Sequence, residues 1–347
     1  SGTITEDGDD SVGSVIWSLA ETGTGTEIWD LTTTGSYVYF GRDNTQLALN
    51  QTAKNIGSVF QHMTAVGNFS MSSYNCNSFA LGQDNCFAVG GRVSNSDNSD
   101  SSAVLAVGKK VNDHVRLGAF IDQTINYSGA QDIEVDSKVP LIGLMATWNQ
   151  SPDQSGLQTK VVGSFQKNKT AITRASIGSS EEATGDTNIQ TFSYLAQASY
   201  KLNNGATNIA FEPFTALRYT NTKLNGYTEV GVGAPMAYQD MRQENTSALV
   251  GVNAYYQLSP KFSLSGSVGI EHDLNDKQAK LDGSISDVSA FDAVLINSNK
   301  KNTTASASLG ANMILNANQS VEVKLMYQEL GYNNDATTAY ITYKLPF

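Results

Sequence analysis

The chain has 347 residues, a net charge of −11 and only 16% charged side chains. This acidic balance argues against a nucleic-acid partner, because nucleic-acid binding needs a basic surface. No run of 18 or more apolar residues occurs, which excludes a transmembrane helix. The length allows one large domain with an appendage.

Residues 1–42 differ from the rest of the chain. They open with an acidic stretch, and short apolar runs follow at 15–17, 28–29 and 37–40. These runs predict short strands or an extended linker. The acidic start lacks the ligand spacing of a calcium loop, so we expect neither a metal site nor a cofactor.

Residues 43–68 are predicted to form a helix, which Asp43 or Asn44 caps and which Gly67-Asn68 ends. Its apolar positions recur every three or four residues, at Leu49, Ala53, Ile56, Phe60 and Met63. The remaining surface is polar and includes Asn50, Lys54, Gln61 and His62. A helix of this kind suits a wet cavity better than a lipid-facing position.

Residues 69–85 form a connection that contains the first of two cysteines, Cys76, and Cys86 follows directly after it. A local disulfide in an oxidising compartment fits this spacing. Two free thiols are the alternative. A metal site is not predicted, because no histidine or third cysteine lies nearby.

From residue 86 to residue 347, apolar and polar residues alternate with a period of two, which is typical of β-strands. Many segments run past ten residues, which suits a tilted membrane crossing better than a soluble sandwich. We predict twelve strands, at 86–96, 100–112, 114–129, 138–150, 156–172, 186–203, 207–222, 239–259, 260–275, 299–316, 319–333 and 337–347.

The connections between these strands alternate between short turns and longer loops, which is typical of outer-membrane barrels. The polar faces carry charges that a protein core would exclude and a wet lumen would accept: Arg92, Arg116, Asp122, Glu212, Arg218 and Glu271. The sequence therefore predicts an all-β fold, a twelve-stranded antiparallel transmembrane β-barrel over 86–347 with an N-terminal α-helix in its lumen.

The last strand alternates up to the final residue of the sequence, with Ile341, Tyr343, Leu345 and Phe347 on one face. An aromatic last residue on such a strand resembles the signal that the outer-membrane barrel assembly machinery recognises. A soluble edge strand that happens to end in Phe is the alternative.

Taken in order, these features resemble the β-domain of monomeric autotransporters, the translocator barrel of type V secretion. The matching motifs are the first strand Phe87–Arg92, the third strand Val115–Phe120 and a proline-centred segment, Phe211–Tyr219. The resemblance covers about 43–347. It implies that 1–42 is a passenger remnant or linker and that the helix runs through the lumen, where the inward charges could pair with it.

The resemblance also implies the partners and the location of the protein. We expect a monomer in the bacterial outer membrane, in contact with outer-membrane lipid, the assembly machinery and its own N-terminal passenger. Loops and passenger would lie at the cell surface. The alternative is a stand-alone barrel, either a porin-like channel or an adhesin that binds through the polar loops 172–186, 222–239 and 275–299, which carry Tyr227, Tyr238 and Phe291. No catalytic motif is found, so no enzyme activity and no catalytic residue are predicted.

Overall fold

The computed structural model describes residues 27–31, 37–76, 83–130, 132–136, 139–178, 180–203, 208–275, 277–285, 291–296, 300–316, 318–332 and 334–347. The predicted apolar run at 15–17 and the acidic start lie outside these residues. Within the part of the chain that the structure describes, no helix is both long enough and apolar enough to cross a membrane.

The described residues of the N-terminal part form two paired strands and one helix. Strands β1 (Glu27–Leu31) and β2 (Tyr37–Gly41) pair antiparallel, and helix α1 (Arg42–Ser73) follows directly. Its 32 residues give it a length of about 48 Å. The predicted stop at Gly67-Asn68 is wrong, because both residues are buried and the helix continues through them. Burial of this segment against the barrel outweighs the low helix propensity of glycine.

Among the described residues, twelve long strands form the wall, and six short strands lie in three of its loops. In chain order the strands are β3 (Asn85–Asn95), β4 (Ser99–Lys110), β5 (Val115–Ser128), β6 (Ile133–Asp136), β7 (Leu141–Asn149), β8 (Gly156–Arg174), β9 (Ala183–Asn203), β10 (Ile209–Leu224), β11 (Tyr227–Thr228), β12 (Ala237–Tyr238), β13 (Met241–Ser259), β14 (Phe262–Asp273), β15 (Lys280–Leu281), β16 (Gly283–Ser284), β17 (Val294–Leu295), β18 (Thr303–Asn316), β19 (Gln319–Leu330) and β20 (Asn334–Pro346).

The wall is a closed antiparallel sheet. Each long strand pairs with the next long strand, and β20 pairs with β3 to close the barrel. The backbone of Phe347 extends this last pairing through two hydrogen bonds with Asn85, of 2.9 and 3.1 Å. Closure pairs the edges that an open sheet would leave exposed. Short β6 is an addition that pairs only with the end of β8, beyond the reach of β7.

The two faces of the wall differ in chemistry, as the alternation predicts. Outward-facing side chains are exposed and apolar, for example Val250, Val268 and Leu309. Inward-facing side chains are largely polar, and many are buried between the wall and the helix. The predicted twelve-stranded barrel with an N-terminal helix is confirmed, and the predicted strand ends lie within about four residues of the observed ones.

Strand β5 departs from the simple alternation at two places. Its pairing with β4 shifts between Ser101 and Ser102, so that Ile125 is exposed and Tyr127 turns to the interior. Simple alternation from Val115 would place both on the outer face, but Tyr127 faces inward. Phe120 is an aromatic residue at a position of the polar face, and it is buried on the inner side next to Tyr74.

Candidate functional site

The helix and the lumen that surrounds it are the candidate functional site. The helix C-terminus lies at the short-turn end of the barrel, where the backbone of Cys76 packs against Gly108 near the end of β4. The helix N-terminus lies at the long-loop end, where Gln46 hydrogen-bonds to the backbone of Asp292. The helix therefore runs the full length of the lumen, from the short turns to the long loops.

One wall of the lumen holds a buried charge cluster. The Arg92 guanidinium donates two hydrogen bonds to the Asp100 carboxylate, at 2.7 and 2.6 Å, and a third from Nε to Asp122, at 2.9 Å. All three side chains are at most 4% exposed. The two carboxylates together compensate the charge of the buried cation. The two-point bonding between Arg92 and Asp100 also fixes the orientation of the guanidinium plane.

This cluster binds the helix and the residue that follows it. The Tyr74 hydroxyl donates to Asp122 at 2.5 Å. The His62 ring lies 3.0 Å from the Ser96 hydroxyl and 3.1 Å from Asp100. The carboxylates of β4 and β5 therefore hold this part of the chain at two points twelve residues apart. We call these contacts of Arg92, Asp100 and Asp122 with His62 and Tyr74 the helix clamp.

Aromatic rings reinforce the clamp near the helix C-terminus. Tyr74 makes an edge contact with Phe120 at a centroid distance of 5.4 Å and also contacts Phe69 and Tyr340. Such pairs add to the stability that burial alone provides. The inward-facing Phe120 of β5 is thus explained as a packing partner of the chain at the helix end.

On the opposite side a polar cavity of about 420 Å³ separates the helix from the wall. The Lys160 ammonium projects across this side and donates to the Met71 carbonyl at 2.6 Å. A cation at a helix C-terminus is favourable because the last carbonyl groups carry partial negative charge. Side chains of the helix and of Tyr74 contact β4 and β5 through the helix clamp, the helix backbone lies near β8 and β9, and the gap faces the last helix turns.

The predicted inward charges divide between these two sides. Arg92 and Asp122 belong to the helix clamp. Glu212 accepts a hydrogen bond from Tyr255 at 3.0 Å, and Arg218 pairs with Glu271, so these three serve the cavity wall and not the helix. Arg116 lies near the short-turn mouth, where it donates to the Pro152 carbonyl at 3.5 Å.

The predicted helix contacts divide in the same way. His62 joins the clamp, whereas Gln61 is buried without a partner for its Oε1 atom. Asn50 and Lys54 are exposed at the long-loop end, and Asn50 accepts a hydrogen bond from Gln46 within the helix. Among the described residues, neither is brought next to an inward charge of the wall. The register of the helix, which the sequence does not reveal, places them beyond the charged part of the wall.

A disulfide between Cys76 and Cys86 ties the helix end to the first strand of the wall. The two Cα atoms are 5.6 Å apart, and both residues are buried. The bond spans ten positions, of which 77–82 lie outside the described residues. It fixes the point at which the helix joins the barrel.

Three loop aromatic residues were candidates for an adhesive surface. The structure buries all of them: Tyr227, Tyr238 and Phe291 are at most 8% exposed and belong to one apolar cluster with the helix. These three side chains are therefore packing residues of the loops and not an exposed aromatic surface. The apolar residues elsewhere in these loop sequences were the sign, missed in the sequence, that the loops pack against an apolar partner.

The family model described as the autotransporter beta-domain matches residues 79–325, which is more than half of the chain. The chain belongs to the autotransporter β-domain family. A comparison with curated protein sequences found no match.

Among solved structures, the barrel is similar to the translocator domain of the autotransporter NalP from Neisseria meningitidis, with a TM-score of 0.63 and 16% identity over 84% of this chain and 98% of that one. The transport unit of AIDA-I from Escherichia coli aligns with a TM-score of 0.45 and 12% identity over 83% and 99% of the two chains. At these identities the likeness to NalP concerns the fold.

Family membership gives this autotransporter β-domain its general function. It is an outer-membrane translocator domain of type V secretion, which anchors an N-terminal passenger and helps to export it. The family is one of transport domains and not of enzymes. The alternative of a stand-alone porin-like channel is not favoured.

Proposed function

We propose that this structure is the state of the translocator after transport, in which the helix remains in the lumen as a plug and its N-terminal end leads to the cell surface. The main support for this proposal is the course of the helix from the short-turn end to the long-loop end. A helix satisfies its own backbone hydrogen bonds, and the helix clamp gives His62 and Tyr74 polar partners on β4 and β5.

The orientation follows from loop length. In outer-membrane barrels, short turns face the periplasm and long loops face outward. On this basis the disulfide end of the lumen faces the oxidising periplasm, which suits a disulfide. The loops at 129–140, 225–240 and 274–302 then lie at the cell surface, together with 1–42 as a passenger remnant or linker.

Two kinds of partner are proposed for the outer surface of the wall. The exposed apolar side chains form a face that suits outer-membrane lipid. The last strand presents Ile341, Tyr343, Leu345 and Phe347 on that face, and we assign to these residues the signal for the barrel assembly machinery. The closed pairing of β20 with β3 leaves the wall without a free edge, which supports a monomer.

The plug is tested by single-channel conductance in planar bilayers. The intact chain is compared with a variant that lacks residues 1–73 and keeps both cysteines. Removal of the helix should raise the conductance several-fold, because the lumen then holds only water and side chains. Equal conductance of the two proteins would refute the plug, while the family assignment would stand.

A further inference from the structure

The long loops form an apolar shell around the outer half of the helix. We call it the loop collar and define it as the described residues of 129–136, 225–240 and 277–296. Its buried apolar side chains are Ile133, Val135, Tyr227, Met236, Tyr238, Ala279, Leu281, Ile285, Phe291 and Ile296. From the helix, the same cluster receives Leu49, Ala53, Ile56, Val59, Phe60 and Met63.

The inner half of the helix has apolar contacts as well as polar ones. The helix clamp and the cavity lie beside it, and Val66, Phe69 and Met71 pack with wall residues such as Val104 and Phe120. The outer half is packed like the core of a soluble domain, with Leu49, Ile56 and Leu281 fully buried. Apolar burial of this kind is favourable only where the matching surface is present. The apolar partners of segment 46–63 come largely from the loops, so they surround the segment only when it lies at the loop end of the barrel.

The fit is close enough to require a glycine. A Cβ atom built at Gly57 would lie 2.5 Å from the carbonyl oxygen of Ile296, a backbone atom of the loop collar. Gly67, ten residues further along the same helix, has room: its Cβ would lie 3.5 Å from the Ser193 hydroxyl. The two glycines differ in what they face and therefore offer a matched comparison.

Directed hydrogen bonds fix the register of the helix against the loops. The Gln46 side chain donates to the Asp292 carbonyl at 3.0 Å and accepts from the Asp292 amide at 2.9 Å. Asn55 donates to the Asp132 carboxylate at 3.0 Å. These bonds come from two separate loops, so the collar contacts the helix from more than one side.

The loop collar also carries its own internal support. Arg174, at the end of β8, bonds to both oxygens of Glu229 at 2.8 and 2.9 Å, and Glu229 accepts from the Tyr238 hydroxyl at 2.8 Å. Burial raises the pKa of Tyr227 and of Tyr238, so both phenols stay protonated at neutral pH. Their rings stack at 4.5 Å. Loop 225–240 is thereby held in the shape that faces the helix.

We propose that the loop collar is a binding site for the chain's own segment 46–63, completed only when that segment has reached the loop end of the barrel, and that it holds the segment there. The binding itself depends on the loops and the helix alone. Its role in transport rests on the proposed function: a linker bound in this way would resist return into the lumen, and the loop end of the barrel would be closed around it.

The test is amide hydrogen exchange of segment 46–63 in the intact, detergent-solubilised chain. Gly57→Ala should accelerate exchange in this segment at least tenfold, although alanine favours a helix. Gly67→Ala should leave it unchanged. In the loops, Leu281→Ala should also accelerate exchange of segment 46–63, whereas Leu295→Ala, at a site 37% exposed in the same hairpin, should not.

Two outcomes would overturn the proposal: equal protection of segment 46–63 in all four variants, or stronger protection in Gly57→Ala. Assembly of each variant is checked by the gel shift that folded barrels show before heating. If Gly57→Ala fails to assemble, the comparison of Leu281→Ala with Leu295→Ala decides alone. Because this experiment measures no conductance, its result is independent of whether the helix plugs the lumen.

Discussion

Arg92 is the buried cation on which the inner contacts of the helix converge. Its two carboxylate partners also contact the helix side: Asp100 contacts His62, and Asp122 accepts from Tyr74. One guanidinium therefore bonds to both carboxylates of the helix clamp. A buried charge is tolerated only while its partners are present. The clamp is therefore sensitive to loss of any one carboxylate.

Asp122→Ala removes the acceptor of the Arg92 Nε–H and of the Tyr74 hydroxyl, while Asp100 still pairs with Arg92. We expect it to lower stability by about 1–3 kcal/mol, the usual cost of leaving buried donors without an acceptor. The measurement is the midpoint of thermal unfolding in detergent, followed by the gel shift of the folded barrel.

Asp113→Ala is the matched control for this prediction. Asp113 lies in a short turn, exposed, and its partner Lys110 at 2.7 Å lowers its pKa. Such surface pairs contribute little, so the control should leave the midpoint unchanged. An equal loss in both variants would show that the clamp does not stabilise the protein.

At the residue scale, the sequence predicts part of the helix clamp. Alternation assigns Arg92 and Asp122 to the lumen, because the inward face of a strand is set by parity. It does not predict that Asp100 completes the cluster or that Lys54 lies outside it. The first fact depends on the register between β3 and β4 and the second on the axial position of the helix, and no local pattern encodes either. The aromatic Phe120 on a polar face was the visible sign of a packing partner.

At the scale of elements, the junction between α1 and β3 is the most constrained connection. The chain leaves the helix at Ser73 and enters the wall at Asn85, and the disulfide shortens this path to a single bridge between Cys76 and Cys86. Without the bridge, the connection could extend by several ångströms per residue. The helix would then be held by the clamp and the loops alone.

Replacement of both cysteines by alanine tests this junction. Closure of a loop of about ten residues is expected to contribute about 3 kcal/mol, so the midpoint of thermal unfolding should fall in the double variant. Treatment of the unfolded wild-type chain with reductant before refolding should reproduce the fall. An unchanged midpoint in the double variant would contradict a role for the bridge in stability.

Strand positions are the best predicted feature at this scale, because alternation over ten or more residues is a strong signal. The loops are the least predictable. Their apolar residues appear scattered in the sequence, and only the three-dimensional meeting of loops 129–136, 225–240 and 277–296 gathers them into the loop collar. The helix end was misplaced for a related reason: burial of Gly67 and Asn68 outweighs their propensity to stop a helix.

At the scale of the whole molecule, the protein joins two environments along one helix. The inner half lies beside charges, a polar cavity and a second apolar cluster of the wall, and the outer half lies in the apolar loop collar. The wall presents an apolar face outward throughout. This arrangement fits a translocator whose linker has come to rest, with one end tied by a disulfide and the other bound by loops.

The most direct test of this account is the accessibility of the N-terminal end in living cells. An epitope fused ahead of Ser1 is compared with the same epitope inserted at Asp153, in the short turn between β7 and β8. In intact Gram-negative cells that produce the protein, external protease should remove the first epitope and leave the second intact until the outer membrane is permeabilised. Protection of the first epitope in intact cells, with cleavage of the second, would contradict the proposed direction of the helix and of transport.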